Sequence, residues 1–290
     1  MTRRGRVAAL LATALLVSAC TSGGGSSSAA PSGPVAGGLL DLVTKAGEIR
    51  VSTDPQYPPQ SELKPDGSFE GFDIDVANEI ATRMGLAVKF ETPSWDTITA
   101  GSWSGRWDLS VGSMTITSPR QEVLDFSVPY YFTPAQMAAS TASGITTLEG
   151  LAGKTVCVGE ATTYLDWLNG TLDFGTESPK TTPPEGVKAT TLSTDRLCAE
   201  AWQAGREDFE GWLSSSTTVD QAIAEGLPLV KVGDPVYSEP LAAAVDKGGP
   251  DPTDFMVKVN EIVTAMHADG TLTKLSEKWF GMDLTKKAGG

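Results

Sequence analysis

Two stretches of the chain repeat one arrangement 100 residues apart. Ser104 to Thr115 reads SGRWDLSVGSMT and Ala204 to Ser215 reads AGREDFEGWLSS; both carry G-R-x-D, with a helix expected to end at the Gly and a strand to follow the Asp. Each stretch closes a series in which short apolar runs alternate with helical spacing. In the first, EIRVSTD predicts a strand and GFDIDVANEIATRMG a helix. Ile74, Ala77, Ile80 and Met84 share one face of that helix, Asp73 and Asp75 favour its N-terminus and Gly85 its C-cap. LAVKFET, WDTITAGSW and RWDLSVGS then read strand, short helix, strand. In the second series KTVCVGE, ATTYLDWLNG, VKATTLS, TDRLCAEAWQAG and DFEGWLSS read strand, helix, strand, helix, strand, with Thr194 or Asp195 capping the second helix. The class is α/β, built as two similar lobes. Open α/β sheets bind ligands outside the C-terminal ends of their strands. Here those ends are Ser52 to Tyr57, Gly112 to Thr115, Gly159 to Thr163 and Leu213 to Ser215, and two such edges face to face would make a cleft.

The chain opens MTRRGRVAALLATALLVSAC, a basic start, an apolar run too short to span a bilayer comfortably, and small residues before Cys20. That is a secretory leader, residues 1–20. Its ending LVSAC resembles a bacterial lipobox, which implies Cys20 as a lipid anchor and a place on the extracytoplasmic face of the cell membrane. Residues 21–38, TSGGGSSSAAPSGPVAGG, have the composition of a flexible tether and cannot bury a core.

The sequence carries 22 Lys and Arg against 36 Asp and Glu, a formal net charge of −14, and the leader takes three of the arginines. Such a balance favours solubility and disfavours nucleic acid and anionic lipid as partners. No metal-ligand spacing, G-x-S-x-G or nucleophile–base pair occurs, and no cofactor or metal is expected. The one histidine, His267, falls in a C-terminal helix whose stripe of Val259, Ile262, Val263 and Met266 reads as packing. With Cys20 assigned to the leader, Cys157 and Cys198 remain; in an exported protein they are expected to form a disulfide, with two buried thiols as the alternative.

Ser118-Pro119-Arg120-Gln121 reads as a helix start, with Ser118 as N-cap, Pro119 at the first helical position and Gln121 closing a capping box. An arginine in a first turn opposes the helix dipole at a cost of about 0.3–1 kcal/mol. An anion would offset that cost, either Glu122 or Asp125 of the protein or a ligand.

At this point several stretches together resemble a known family. They are TDPQYPP, DGSFEGFDIDVANEIA, GRWDLSVGSMTITSPR, LDFSVPYY, LEGLAGKTVCVGEATTY and MHADGTLTKLSEKWF. In this order they resemble the polar amino-acid family (family 3) of solute-binding proteins of bacterial ABC importers. The resemblance implies two Rossmann-like lobes joined by two hinge strands, the periplasmic-binding-protein type II arrangement. Lobe 1 would comprise residues 39–133 and 239–290 and lobe 2 residues 134–238, with hinge crossings near Phe132–Ala135 and Val236–Pro240. It implies a monomer that captures a small polar carboxylate, foremost an amino acid, and passes it to an ABC permease. Arg120 matches the arginine that binds the ligand's α-carboxylate, bidentately as a guanidinium fork can. Thr115 and Thr163 match positions that hold the same carboxylate. Tyr57 and Trp95 match rings of the side-chain pocket, Trp95 having core packing as its alternative. Asp54 matches an acid near the ligand side chain, or else caps the turn before Pro55. Ser113 matches a position that accepts from the ligand's ammonium.

Two departures stand out. The family places an ammonium-binding aspartate five residues after the strand-opening Asp of lobe 2, and counting from Asp208 gives Leu213. Glu210 and Glu239 are candidate replacements, Glu239 preferred because YSEPLAAA falls at the second hinge crossing, with solvation at the hinge surface as its alternative. Gln60 stands where an aromatic commonly ends the YPPF-like stretch, which makes that wall more polar. A cleft glutamate also leaves room for a prephenate or arogenate dehydratase on the same scaffold, and a sensor module is a third possibility; the absence of catalytic motifs favours binding without chemistry.

Overall fold

The structure is a computed structural model that describes residues 37–175, 179 and 181–287. The leader, Cys20 and all but the last two residues of the tether lie outside the described residues.

In chain order the first elements are α1 (Leu39–Ala46), β1 (Glu48–Ser52), β2 (Gln56–Tyr57), β3 (Ser61–Leu63), β4 (Phe69–Glu70), α2 (Phe72–Met84), β5 (Ala87–Glu91), α3 (Trp95–Thr99), β6 (Leu109–Thr115), α4 (Ser118–Val123), β7 (Leu124–Phe126) and β8 (Tyr131–Ser140). There follow β9 (Thr155–Gly159), α5 (Thr163–Leu168), β10 (Lys188–Leu192), α6 (Arg196–Gln203), β11 (Gly211–Ser215), α7 (Ser216–Ala224), β12 (Leu229–Lys231), β13 (Tyr237–Asp246), α8 (Thr253–Ala268) and α9 (Thr271–Phe280).

The main sheet runs β10-β9-β11-β8-β13-β6-β1-β5. Its two halves mirror each other. In lobe 1 the parallel strands β5, β1 and β6 lie beside antiparallel β13; in lobe 2 the parallel strands β10, β9 and β11 lie beside antiparallel β8. The long strands β8 and β13 pair with each other from Tyr131–Leu241 to Ala135–Tyr237 and carry the chain between the halves. This is the two-lobed α/β architecture.

Each half buries its own core. Ile49 and Val51 of β1, Phe72, Val76 and Ile80 of α2, and Val259, Ile262, Val263 and Met266 of α8 share one cluster. Val156 and Val158 of β9, Trp167 of α5 and Leu213 of β11 share another. Cys157 and Cys198 are bonded, tying β9 to α6 inside a third cluster with Trp202 and Trp212.

Several local expectations need correction. Thr117, not Ser118, is the N-cap of α4: its hydroxyl accepts from the Arg120 N–H, Pro119 is the second helical residue, and Gln121 donates its own N–H to the Thr117 carbonyl. The helix before the first G-R-x-D ends at Thr99, and Gly105 instead closes a separate turn at φ +68°. The two repeats are also out of step by two residues. The Asp108 carboxylate accepts the Arg50 N–H of the neighbouring strand, and in lobe 2 it is Glu210, not Asp208, that accepts the equivalent Thr155 N–H. Asp208 pairs in solvent with Arg206. The small sheet β2-β3-β4 has no counterpart in the expected series; its strands, of two or three residues, are too short to show a period.

Candidate functional site

The ends of β1, β6 and β9 open onto one cleft between the halves. Asp54 reaches it from the exit of β1, Tyr57 from β2, Trp95 from the start of α3, Ser113 and Thr115 from the end of β6, Arg120 from α4, Thr163 from α5 and Glu239 from β13. The eight residues matched to the family's ligand site line one space; Glu210, the other candidate acid, does not. Tyr57 and Tyr164 meet across it, hydroxyl to hydroxyl at 3.1 Å.

Arg120 is 7% exposed. Its guanidinium donates to the Thr115 carbonyl at 3.0 Å and, across the cleft, to the Ala161 carbonyl at 2.9 Å. It lies 5.7 Å from the centre of the Trp95 ring. Among the described residues no carboxylate forms an ion pair with it; Asp125, one expected internal partner, pairs with Lys247 instead. Burial pushes the guanidinium pKa down, and the field of Glu239 acts the other way. A buried cation held only by neutral carbonyls is costly to keep and suited to an incoming anion.

Glu239 is 2% exposed, which rules out hinge-surface solvation. One of its carboxylate oxygens accepts from the hydroxyls of both Thr115 and Thr163, the latter at 3.1 Å. The other oxygen is buried with no partner among the described residues. Burial raises the carboxyl pKa, against the two hydroxyls and Arg120. The cleft thus presents a buried cation and, on the same threonine pair, a carboxylate with one oxygen left to satisfy.

The remaining residues serve the fold and the cleft at once. Asp54 caps its turn by accepting the Gln56 N–H at 2.7 Å while lining the cleft, and burial raises its pKa to about 6. Trp95 lines the cleft and packs on the Ile98, Trp103 and Trp107 cluster, so the pocket and core readings both hold. Ser113 sits at φ +56°, and its hydroxyl donates to buried Asp73 at 2.6 Å.

The model of the bacterial extracellular solute-binding proteins, family 3, matches residues 49–282. The chain belongs to this family. Among relatives of this solute-binding protein, the L-cystine-binding protein TcyJ of Escherichia coli (strain K12) is 31% identical over 259 residues, covering 86% of this chain and 88% of that one. The L-arginine-binding protein of Pseudomonas aeruginosa is 25% identical over 263 residues, covering 87% and 96%. The crystal structure of the ancestral amino acid-binding protein AncCDT-1, a precursor of cyclohexadienyl dehydratase, superposes with a TM-score of 0.70 at 29% identity, covering 83% of this chain and 99% of that one. The protein is a solute-binding protein, and the named relatives are binding proteins of ABC transporters rather than enzymes.

Within this binding protein both apparent departures change meaning. Leu213 is fully buried in the lobe 2 core and does not line the cleft. Counted from Glu210, the structural partner of Asp108, the fifth residue is Ser215, which caps α7. Gln60 is buried outside the cleft, so it does not make the ligand's wall polar. Glu210 is occupied with Lys154 and the Thr155 N–H and is not a cleft acid.

Tyr164, Ser193, Thr194 and Asp195 also line the cleft and were not read from the sequence as site residues; Asp195 is the acid among them. Asp195 lines the space from the lobe 2 side, 5% exposed. Although it stands at the N-cap of α6, its carboxylate does not cap the helix; it accepts from Ser214 Oγ, the Gly159 N–H and Trp212 Nε1. Burial is the larger influence and lifts its pKa to about 7 despite those donors. In TDRLCAEAWQAG an Asp before a helical run carries a capping signal, which does not show that its carboxylate turns inward.

Proposed function

We propose that this protein captures a small zwitterionic carboxylate, an amino acid, in the interlobe cleft, and delivers it to an ABC permease while lipid-anchored at Cys20 on the extracytoplasmic face of the membrane. The observation that carries the reading is Arg120. Its buried guanidinium meets one carbonyl from each side of the cleft and no carboxylate among the described residues. A ligand carboxylate would supply the missing negative charge in bidentate form. The free oxygen of Glu239 supports an ammonium at the other end of the same ligand. Amino-acid binding by the named relatives, TcyJ and the L-arginine-binding protein among them, supports the ligand class. Closure of both lobes would present a form that a permease can distinguish from the open one.

The test is thermal unfolding against a panel of amino acids, betaines and keto acids. A ligand at 100 times its dissociation constant adds about 2.7 kcal/mol of stability, read as a raised midpoint. The expected result is a rise with one or more α-amino acids that Arg120→Ala abolishes. A rise that survives Arg120→Ala, or none across the panel, would refute the assignment.

A further inference from the structure

The turn between β2 and β3 carries a contact that the cleft does not account for. Gln60, fully buried on the lobe 1 side, extends its amide to the start of α7 in lobe 2. Its Nε2 donates to Ser215 Oγ at 3.0 Å and to Thr217 Oγ1 at 2.7 Å, and its Oε1 accepts from Thr218 Oγ1 at 3.2 Å. Ser215 and Thr218 are fully buried and Thr217 nearly so. None of the four residues lines the cleft.

The backbone of Gln60 is pinned so that the amide is aimed. Its N–H donates to the Tyr57 carbonyl at 2.9 Å, and its carbonyl accepts the Asp73 N–H from the first turn of α2 at 2.8 Å. The close approach depends on Gly71. At that position φ is +133°, and a Cβ would fall 2.2 Å from the Gln60 carbonyl oxygen. On the other side Ser215 is fixed by accepting the Thr218 N–H at 3.2 Å as the N-cap of α7. Two rigid element ends, one from each lobe, thus meet through one amide whose donor and acceptor are both satisfied. Side-chain amides and hydroxyls buried in this way are costly to leave unpaired, which makes the contact specific to one relative placement of the lobes.

We propose that Gln60 is an interlobe latch. It is a positioning residue that touches no ligand, sits on the hydroxyls of Ser215, Thr217 and Thr218, and sets the balance between open and closed lobes. Because none of the four residues lines the cleft, the latch requires no ligand to form. It therefore favours the closed form in ligand-free protein and raises the affinity for every ligand by one common factor.

The experiment measures interlobe distance in the ligand-free protein, with reporters on the exposed edge strands at positions 89 and 188. Wild type should populate the closed distance, and Gln60→Leu should lower the closed-to-open ratio at least tenfold. Thr217→Val, made from the other lobe, should shift it in the same direction. The double variant should do no more than Gln60→Leu alone, since both remove the same contact. Should Gln60→Leu fail to fold, Ser215→Ala with Thr217→Val gives the same reading from lobe 2. Binding of each ligand found should weaken by one common factor, the factor by which the closed fraction falls. A wild type wholly open without ligand, an unchanged distance distribution in folded variants, additive single effects, or weakening confined to one ligand would each overturn the latch. The distance measurement needs no ligand, so its outcome is separate from whether the amino-acid reading holds.

Discussion

Thr115 and Thr163, one from each lobe, donate to the same carboxylate oxygen of Glu239. The acid is thereby centred between the lobes by two neutral donors, and its second oxygen is buried without a partner among the described residues. Substituting Glu239→Gln keeps the shape and removes the charge, and its carbonyl oxygen can still accept from both hydroxyls. Removing one partner of a buried ion pair costs about 2–5 kcal/mol. Calorimetric titration should therefore find α-amino acids bound at least about thirtyfold more weakly, while a keto acid of the same skeleton loses little or gains.

Arg120 donates through two different guanidinium nitrogens to carbonyls on opposite sides of the cleft. An ammonium cannot reproduce that fork. Arg120→Lys is expected to fold and keep its charge, yet to bind the amino-acid ligand about ten- to a hundredfold more weakly. Equal affinity in the lysine variant would show that only charge, and not bidentate geometry, is recognised.

Asp73 and Asp195 are buried carboxyls whose pKa is lifted by desolvation to about 7 in the folded state. A carboxyl raised in this way holds its proton more tightly when folded than when unfolded. Its contribution to stability is complete below the unfolded pKa of about 4 and is lost as the pH climbs through about 7. Between those limits each such group tilts stability by up to about 1.4 kcal/mol per pH unit, downward as pH rises. The melting temperature should therefore be higher near pH 5 than near pH 8, and Asp195→Asn should reduce the difference. An unchanged pH slope in that variant would mean that Asp195 stays ionised throughout.

Leu213 faces the core of lobe 2, with Val156, Trp167 and Ala135 in its cluster. Leu213→Ala should cost about 2–5 kcal/mol in denaturant unfolding by opening a cavity. The order of ligand preference should not change. A changed preference would return this position to the binding surface.

Much of the site was legible because its chemistry is local in the sequence. An arginine in TITSPRQ and a glutamate inside the otherwise apolar YSEPLAAA are conspicuous, and both line the cleft. The alternation of strand and helix likewise predicted the two parallel triplets of the sheet, because each buried strand is a short apolar run between turn residues. What stayed hidden depends on which way a side chain turns. Asp73 and Asp195 both sit at helix starts, where an acid ordinarily faces outward toward the dipole; here each turns inward to a serine at the end of a neighbouring strand, Ser113 and Ser214. The Leu213 misreading has a similar origin. Asp208 satisfies the repeated motif in letters, but it is spent on Arg206 in solvent, and the structural equivalent of Asp108 comes two residues later. Gln60 was placed wrongly, on the ligand's wall, because its actual partners are more than 150 positions away.

The passage of β13 between β8 and β6 has a consequence for how the protein is made. Lobe 1 starts first on the nascent chain, yet β6 has no neighbour on its inner side until Tyr237–Asp246 has followed the whole of lobe 2. Phe255, Val259, Ile262 and Met266, which share the core with Ile49 and Phe72, emerge later still. A growing chain therefore carries an unpaired strand edge and a half-covered apolar face through most of its synthesis. Premature termination after lobe 2 would not yield a weaker binder. It would leave the inner edge of β6 unpaired and the lobe 1 core incomplete.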